Sequence, residues 1–104
     1  MITLGARKQE EKLKELAMIA KRAFPDADEM AIKGALRQGA REALKESHFS
    51  SWAGVASQPA AVRRDFFDRL LERARPKLKI LLGEEGLDAL LGRMRAANEK
   101  YLRD

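Results

Sequence analysis

The side chains that most often act as nucleophiles or general bases are scarce in this chain of 104 residues, which has one histidine and no cysteine. Ser47, Ser50 and Ser51 lie near His48, but closeness along the chain does not bring a nucleophile, a base and an orienting group into contact. The chain also lacks a Gly-x-Ser-x-Gly motif and the glycine-rich motifs that bind phosphate groups. We therefore expect no enzymatic activity and no catalytic residues.

Metal sites need clusters of ligands at defined spacings, and the sequence contains no H-E-x-x-H, C-x-x-C or EF-hand pattern. Glu84, Glu85 and Asp88 do place three carboxylates on one turn. Acidic residues at such a position are more typical of a helix N-terminus, where they complement the helix dipole, than of a metal site. We expect neither a metal nor a cofactor.

Basic side chains are the stronger functional signal, since 21 Lys and Arg against 16 Asp and Glu give a formal net charge of +5. Four cations follow one another at i+4 spacing along one predicted helix, and four more lie within residues 73–79 without an acid. Such rows fit a phosphate backbone. For the row at i+4 spacing, the alternative is a solvated flank that is partly paired with Glu29, Glu42 or Glu46. The predicted nucleic-acid contacts on these two stretches are Lys33, Arg37, Arg41, Lys45, Arg73, Arg75, Lys77 and Lys79.

A further stretch, FSSWAGV at residues 49–55, has a small residue before an Ala-Gly-Val turn and resembles the turn of a helix-turn-helix motif. The resemblance implies a recognition helix from Pro59 onward, with Arg63 and Arg64 near its start, where base contacts are made. The chain departs from the motif at Pro59, which falls where the second helix should already be running. It departs again at Ala60, where the motif usually has Val or Ile.

The composition predicts that helices position these residues. Ala and Leu account for 31 residues, whereas Val, Ile and Thr together account for seven, and no segment alternates strictly between apolar and polar residues. The length fits a single domain over residues 1–104. We predict an all-α fold with four main helices, as a bundle or as paired helical hairpins, and an irregular central connector.

Helix signals divide the chain at its prolines and glycines. The first helix is predicted from about residue 6 to Phe24, where Pro25 ends it, and the second is predicted to start at an Asp26 N-cap and to run to about Ser47. The third is predicted from about Pro59, with Pro76 kinking or ending it before a further piece at residues 77–82. The last is predicted over residues 84–102, with Tyr101 on its inner face.

Packing expectations follow from the same periodicity. The small residues Gly39, Ala40 and Ala43 should let another helix approach closely. The cost of Gly34 and Gly39 in a helix interior also suggests close packing, and the alternative is a weak helix. His48, Phe49 and Trp52 in the connector, residues 47–58, could stack nucleic-acid bases, but a lid over the end of the core is the stronger interpretation. Five apolar side chains are expected to remain exposed and to form an interface with a partner or a second copy: Met18, Ile19, Phe67, Leu71 and Ile80.

The sequence therefore favours a non-enzymatic binding protein. The leading hypothesis is a basic helical accessory subunit or regulator that contacts nucleic acid, and the alternative is a protein–protein interaction module, as a homodimer or an adaptor. No apolar run approaches the ~18 residues of a membrane-spanning helix, and the N-terminus becomes charged too early for a signal peptide. We expect a cytoplasmic protein that does not associate with membranes.

Overall fold

Five α-helices make up the computed structural model, which describes the backbone of residues 4–102 and the side chains of residues 9–99. No strand occurs in the described backbone, so the predicted all-α class with four main helices is confirmed. Tyr101, predicted on the inner face of the last helix, lies outside the residues whose side chains are described. The helices are α1 (Leu4–Ala23), α2 (Glu29–Glu46), α3 (Trp52–Ala56), α4 (Ala60–Leu82) and α5 (Leu87–Leu102).

The four long helices form a ring in which each has two long neighbours. Both α1 and α4 pack against α2 and α5, and the short α3 lies between α1 and α4. The helices α2 and α4 share the largest contact and run antiparallel, because Gln38 lies beside Lys77 whereas Glu46 lies beside Arg69. Of the two predicted architectures, the arrangement is a helical bundle.

The core lies inside this ring and is almost wholly apolar. Leu13 and Leu16 of α1, Leu36 of α2, Leu70 of α4 and Leu90 of α5 are all fully buried. Each long helix thus contributes one face at i, i+3, i+4 spacing, as the sequence predicts.

The predicted inner face of α4 is too narrow. Phe67 and Leu71, which were predicted to lie exposed at a partner interface, are 3% and 0% exposed and belong to the core. A helix that packs between two neighbours buries a wider arc than a single stripe, and α4 contacts both α2 and α5. At the start of the helix Val62 is 38% exposed, although it continues the i, i+4 row of the buried Phe66 and Leu70.

The corner between α1 and α2 is longer than predicted. The N-cap of α2 is Asp28 instead of Asp26, and its carboxylate accepts a hydrogen bond from the Met30 backbone N–H at 3.1 Å. The ammonium group of Lys21 donates to the carbonyl oxygens of Pro25 and Ala27, both at 2.7 Å. These bonds hold residues 25–27 in a turn, so α2 can begin only after that turn.

Two glycines set the corner between α4 and α5. Gly83 and Gly86 have φ angles of 85° and 80°, a left-handed conformation that glycine adopts without steric cost. Because the chain turns twice in this way, α5 begins at Leu87, three residues after the approximate start predicted at Glu84. Pro76, by contrast, neither ends nor interrupts α4, which continues through it to Leu82.

The C-terminus of α2 depends on the backbone of His48. This residue has a φ angle of 62° and is the only non-glycine residue in the described backbone with a positive φ. Its N–H donates to the Lys45 carbonyl at 3.3 Å, and the N–H of Phe49 donates to the Leu44 carbonyl at 3.0 Å. This pair of bonds is a Schellman cap. The side chain of His48 is exposed, so the predicted lid over the core consists of Phe49 and Trp52 without it.

Candidate functional site

The predicted cationic stripe of α2 is partly neutralised by α1. The Arg37 guanidinium donates to both carboxylate oxygens of Glu10, from Nε at 3.3 Å and from Nη2 at 3.2 and 3.1 Å. The Lys33 ammonium lies 4.0 Å from the same carboxylate. Glu10 was not among the predicted pairing partners, because only the packing of α1 against α2 brings it there.

The basic run at the end of α4 is paired with three different elements. Arg73 forms an ion pair with Glu46 of α2, and Lys77 donates a hydrogen bond to Gln38 of the same helix. Two further pairs join α4 to the α4–α5 corner and to α5 itself: Lys79 with Glu84 and Arg75 with Asp88. The run therefore does not form a continuous positive surface.

The two arginines near the start of α4 also have partners. Arg64 donates to Glu99 of α5 through two parallel hydrogen bonds of 2.8 and 3.0 Å, and this interaction raises the pKa of Arg64. Arg63 lies in a cleft beside Trp52. The predicted helix-turn-helix turn is absent, because Gly54 lies within the helix α3, where the motif would need a turn.

Only two of the ten predicted nucleic-acid contacts lack a partner among the described side chains. They are Arg41 and Lys45, which are one turn apart on α2 and both exposed. The guanidinium groups of Arg73 and Arg75, by contrast, donate hydrogen bonds to carboxylates of the protein, and these bonds raise the pKa of both arginines. The structure thus divides the predicted positive patch into separate ion pairs.

A groove between α1 and α5, which we call the α1–α5 groove, has a volume of about 820 Å³. Its apolar lining consists of Met18 and Ile19 from α1 with Ala96 and Ala97 from α5. Met18 is 45% exposed, and Ile19 is half-buried against the edge of the core. These two residues were predicted as interface residues, and the structure brings them together with the small side chains of α5.

The charged lining of the α1–α5 groove has three cations and two carboxylates, a small excess of positive charge. Lys14, Arg22 and Arg93 line it and form no ion pair with a described carboxylate. Two acidic residues, Glu11 and Glu15, lie along the same side of α1. On α1 the lining residues recur at i, i+3, i+4 spacing, so they form a second stripe beside the stripe that faces the core. This spacing is the feature of the sequence from which the groove could have been predicted.

The other predicted interface residues do not contribute to this groove. Ile80 is 83% exposed near the end of α4, and Met30 is 70% exposed at the start of α2. Neither is among the residues that line the α1–α5 groove or the cleft beside Trp52. Single exposed apolar side chains of this kind are common on soluble proteins and do not by themselves mark a site.

The acidic turn of residues 84–88 is engaged in ion pairs. Glu84 pairs with Lys79 and Asp88 pairs with Arg75, so two of the three carboxylates tie this turn to α4. Among the described residues, no group of three or more His, Cys, Asp or Glu is placed to hold a metal ion. No described helix has the length and apolar character required to span a bilayer.

Comparisons of the chain with protein-family models, with curated proteins and with solved structures found no match.

Proposed function

We propose that this protein is a non-enzymatic helical interaction module, and that the α1–α5 groove binds an amphipathic, acidic helix of a partner protein. The observation that carries the proposal is an apolar groove in which three cations, without a carboxylate partner among the described residues, outnumber the two carboxylates Glu11 and Glu15. A helix laid into such a groove buries one apolar stripe and leaves its flanks beside the walls. Glutamate or aspartate on those flanks would meet Lys14, Arg22 and Arg93.

The small side chains of α5 support this choice of occupant. Ala96 and Ala97 leave room for the larger residues of an incoming helix, and Met18 can adapt its flexible side chain to them. Opposite charges across the interface would speed association and select against basic partners. A second copy of this chain fits less well, because each copy carries a formal net charge of +5.

A labelled synthetic helix tests the proposal directly. The probe is a peptide of about 18 residues with leucines at i, i+3, i+4 and i+7 spacing and glutamates on both flanks. We expect fluorescence anisotropy to show saturable binding, and we expect Met18→Asp to weaken it at least ~10-fold, a loss of about 1.4 kcal/mol. Charge reversal by Arg93→Glu is expected to act in the same direction, because it places a carboxylate beside the glutamates of the peptide.

The matched control for this experiment is Met30→Asp. It makes the same substitution at an exposed methionine outside the groove and should leave the affinity unchanged. A peptide with lysines in place of the glutamates should bind at least ~10-fold more weakly. Equal binding of the two peptides, or an equal loss from Met18→Asp and Met30→Asp, would contradict a groove that recognises an acidic helix. Light scattering of the protein alone distinguishes self-association from binding to a different chain.

Nucleic-acid contact is a second candidate function, and the exposed pair Arg41 and Lys45 favours it. If both contact phosphates, Arg41→Met combined with Lys45→Met should reduce the slope of log K against log salt by about 2 for a duplex oligonucleotide. Arg37→Met on the same helix is the control and should change the slope little, because Arg37 is engaged by Glu10. Binding that does not respond to salt, or that the double substitution leaves unchanged, argues against this function.

A further inference from the structure

The charged residues that line the α1–α5 groove are unevenly distributed along it. In chain order, the lining residues on α1 are Glu11, Lys14, Glu15, Met18, Ile19 and Arg22. Both carboxylates therefore lie towards the N-terminus of α1, in what we call the glutamate end, together with Lys14. Arg22 marks the opposite end, which we call the arginine end, and the apolar residues lie between the two.

Arg93 of α5 adds a second cation to the arginine end, because α1 and α5 run antiparallel. Directly after α1, the ring of Phe24 lies 3.5 Å from the position of a Cβ atom on Gly86, which directly precedes α5. At the other ends of the two helices, Lys12 of α1 and Asn98 of α5 line the same cleft. Arg93 lies between these two levels, and its side chain tilts towards the N-terminus of α5, which is the direction of the arginine end.

The two ends differ in charge. The glutamate end has one cation and two carboxylates, a formal charge of −1, and Lys12 near Glu15 offsets part of it. The arginine end has two cations and no carboxylate among the described lining residues, a formal charge of +2. Arg22 follows Glu15 by seven residues and Glu11 by eleven, which is about 10 Å and about 16 Å along a helix. Both separations exceed the screening length of about 8 Å at physiological ionic strength, so each end acts separately on a bound helix.

We infer that the α1–α5 groove recognises the order of charges along its partner helix. The acidic residues of that helix are concentrated in the half that lies over Arg22 and Arg93, and its other half is neutral or basic. This inference rests on the proposed function and adds to it the position of the acidic residues in the partner. An apolar stripe alone can lie in the groove in either direction, whereas carboxylates at the wrong end would face Glu11 and Glu15.

Two block peptides and an interleaved isomer test the inference. All three share the leucine stripe of the acidic probe and carry equal numbers of glutamates and lysines on its flanks, so their net charges are identical. One block peptide has its glutamates in the N-terminal half and the other has them in the C-terminal half, whereas the isomer alternates the two residues. We expect both block peptides to bind at least ~3-fold more tightly than the isomer in fluorescence anisotropy at about 0.15 M salt, and the difference to shrink as salt is added.

The use of both block orders separates recognition by the groove from the stability of the peptide itself. Glutamates near the N-terminus favour the peptide's own helix through the helix dipole, and glutamates near the C-terminus disfavour it. A groove that recognises charge order prefers both blocks, whereas a difference in peptide helicity would favour only the first. Circular dichroism of the free peptides checks this point.

A nitroxide label shows which end of the groove receives the glutamates. Placed at the acidic end of either block peptide, the label should broaden the backbone amide resonances of Ala23 and Phe24, which adjoin Arg22, more than those of Lys12 and Leu13. Placed at the lysine end, it should give the opposite pattern. The pattern should follow the glutamates in both block peptides, because charge and not chain direction sets the orientation.

The double variant Glu11→Lys with Glu15→Lys makes both ends of the groove positive. It should largely abolish the advantage of the block peptides and should strengthen binding of the peptide with glutamates along its whole length. The matched control is Glu29→Lys with Glu85→Lys, which changes the net charge equally at exposed glutamates outside the groove lining and should preserve the advantage. The comparison of peptides on the unaltered protein remains decisive if a variant does not fold.

The inference is overturned if the interleaved isomer binds as tightly as the block peptides, or if the nitroxide at the acidic end broadens the resonances of the glutamate end. It is also overturned if the control variant loses the advantage as fully as the double variant in the groove. Those results would leave the Met18-dependent binding of a uniformly acidic helix, and with it the proposed function, intact. If no peptide binds in a way that depends on Met18, the proposed function fails and the inference fails with it, so the two failures are distinguishable.

Discussion

Replacing Gly39 with alanine is expected to destabilise the bundle, although alanine is the better helix former. A Cβ atom at residue 39 would lie 2.6 Å from the backbone oxygen of Leu70 and 3.0 Å from the Cβ of Ala74. The obstructing oxygen belongs to the backbone of α4, so the two helices would have to separate. Overpacking of this kind costs about 1–3 kcal/mol, which exceeds or offsets the gain of about 0.5–1 kcal/mol in helix propensity.

Gly34 provides the control within the same helix. No atom lies within 4 Å of a Cβ built there, so Gly34→Ala should gain the helix propensity without a steric cost. That variant is expected to be more stable by about 0.5–1 kcal/mol. Urea unfolding followed by circular dichroism should place the two variants about 1–3 kcal/mol apart, since the propensity gain is common to both. Equal stabilisation by the two alanines would show that α2 and α4 are not closely packed at residue 39.

Replacing Pro76 with alanine is expected to stabilise the protein by about 2 kcal/mol. Pro76 lies inside α4, where it cannot donate to the carbonyl of Glu72, and its ring crowds that carbonyl. Proline in a helix interior costs about 3 kcal/mol relative to alanine, and up to about 1 kcal/mol is regained because proline restricts the unfolded chain. The residue is exposed, so alanine would meet no obstacle in the core.

Pro59 is the matched control for this substitution. It occupies the N-cap of α4, where its carbonyl accepts the first hydrogen bonds of the helix and no N–H is required. Pro59→Ala should therefore be neutral or should destabilise the protein by no more than about 1 kcal/mol. Thermal unfolding is a sensitive readout, because 1 kcal/mol shifts the melting temperature of a domain near this size by about 4–8 °C. A melting temperature for Pro76→Ala at or below that of the unaltered protein would contradict the prediction.

The packing at Gly39 shows how much of the contact between helices can be predicted from the sequence alone. Three small residues near the middle of α2 indicate that a helix approaches closely there, and the structure confirms this at Gly39. The same reasoning fails for Gly34, which has open space around it. The sequence shows a glycine within a helix at both positions, and only the location of α4 determines which of the two is closely packed.

The charged residues show a similar limit. The i,i+4 pair of Asp65 with Arg69 is predictable from spacing and is present at 2.9 Å. The pairs of Arg37 with Glu10 and of Arg64 with Glu99 join residues far apart in the chain, and no local pattern indicates them. The predicted positive surface is divided by such long-range pairs, because carboxylates of one helix reach the cations of the next.

The sequence by itself determined the all-α class, the four long helices and the i, i+3, i+4 spacing of their apolar residues, because helix propensity and periodicity act over a few neighbouring residues. The tertiary structure alone decided which cations keep their charge exposed, where α1 and α5 leave a groove, and how Trp52, Lys12 and Asn98 come to share one cleft. Those features depend on which helices are neighbours and in what register. The neighbours of each helix and their register are selected by the packing of entire helix faces, which no short stretch of the chain encodes.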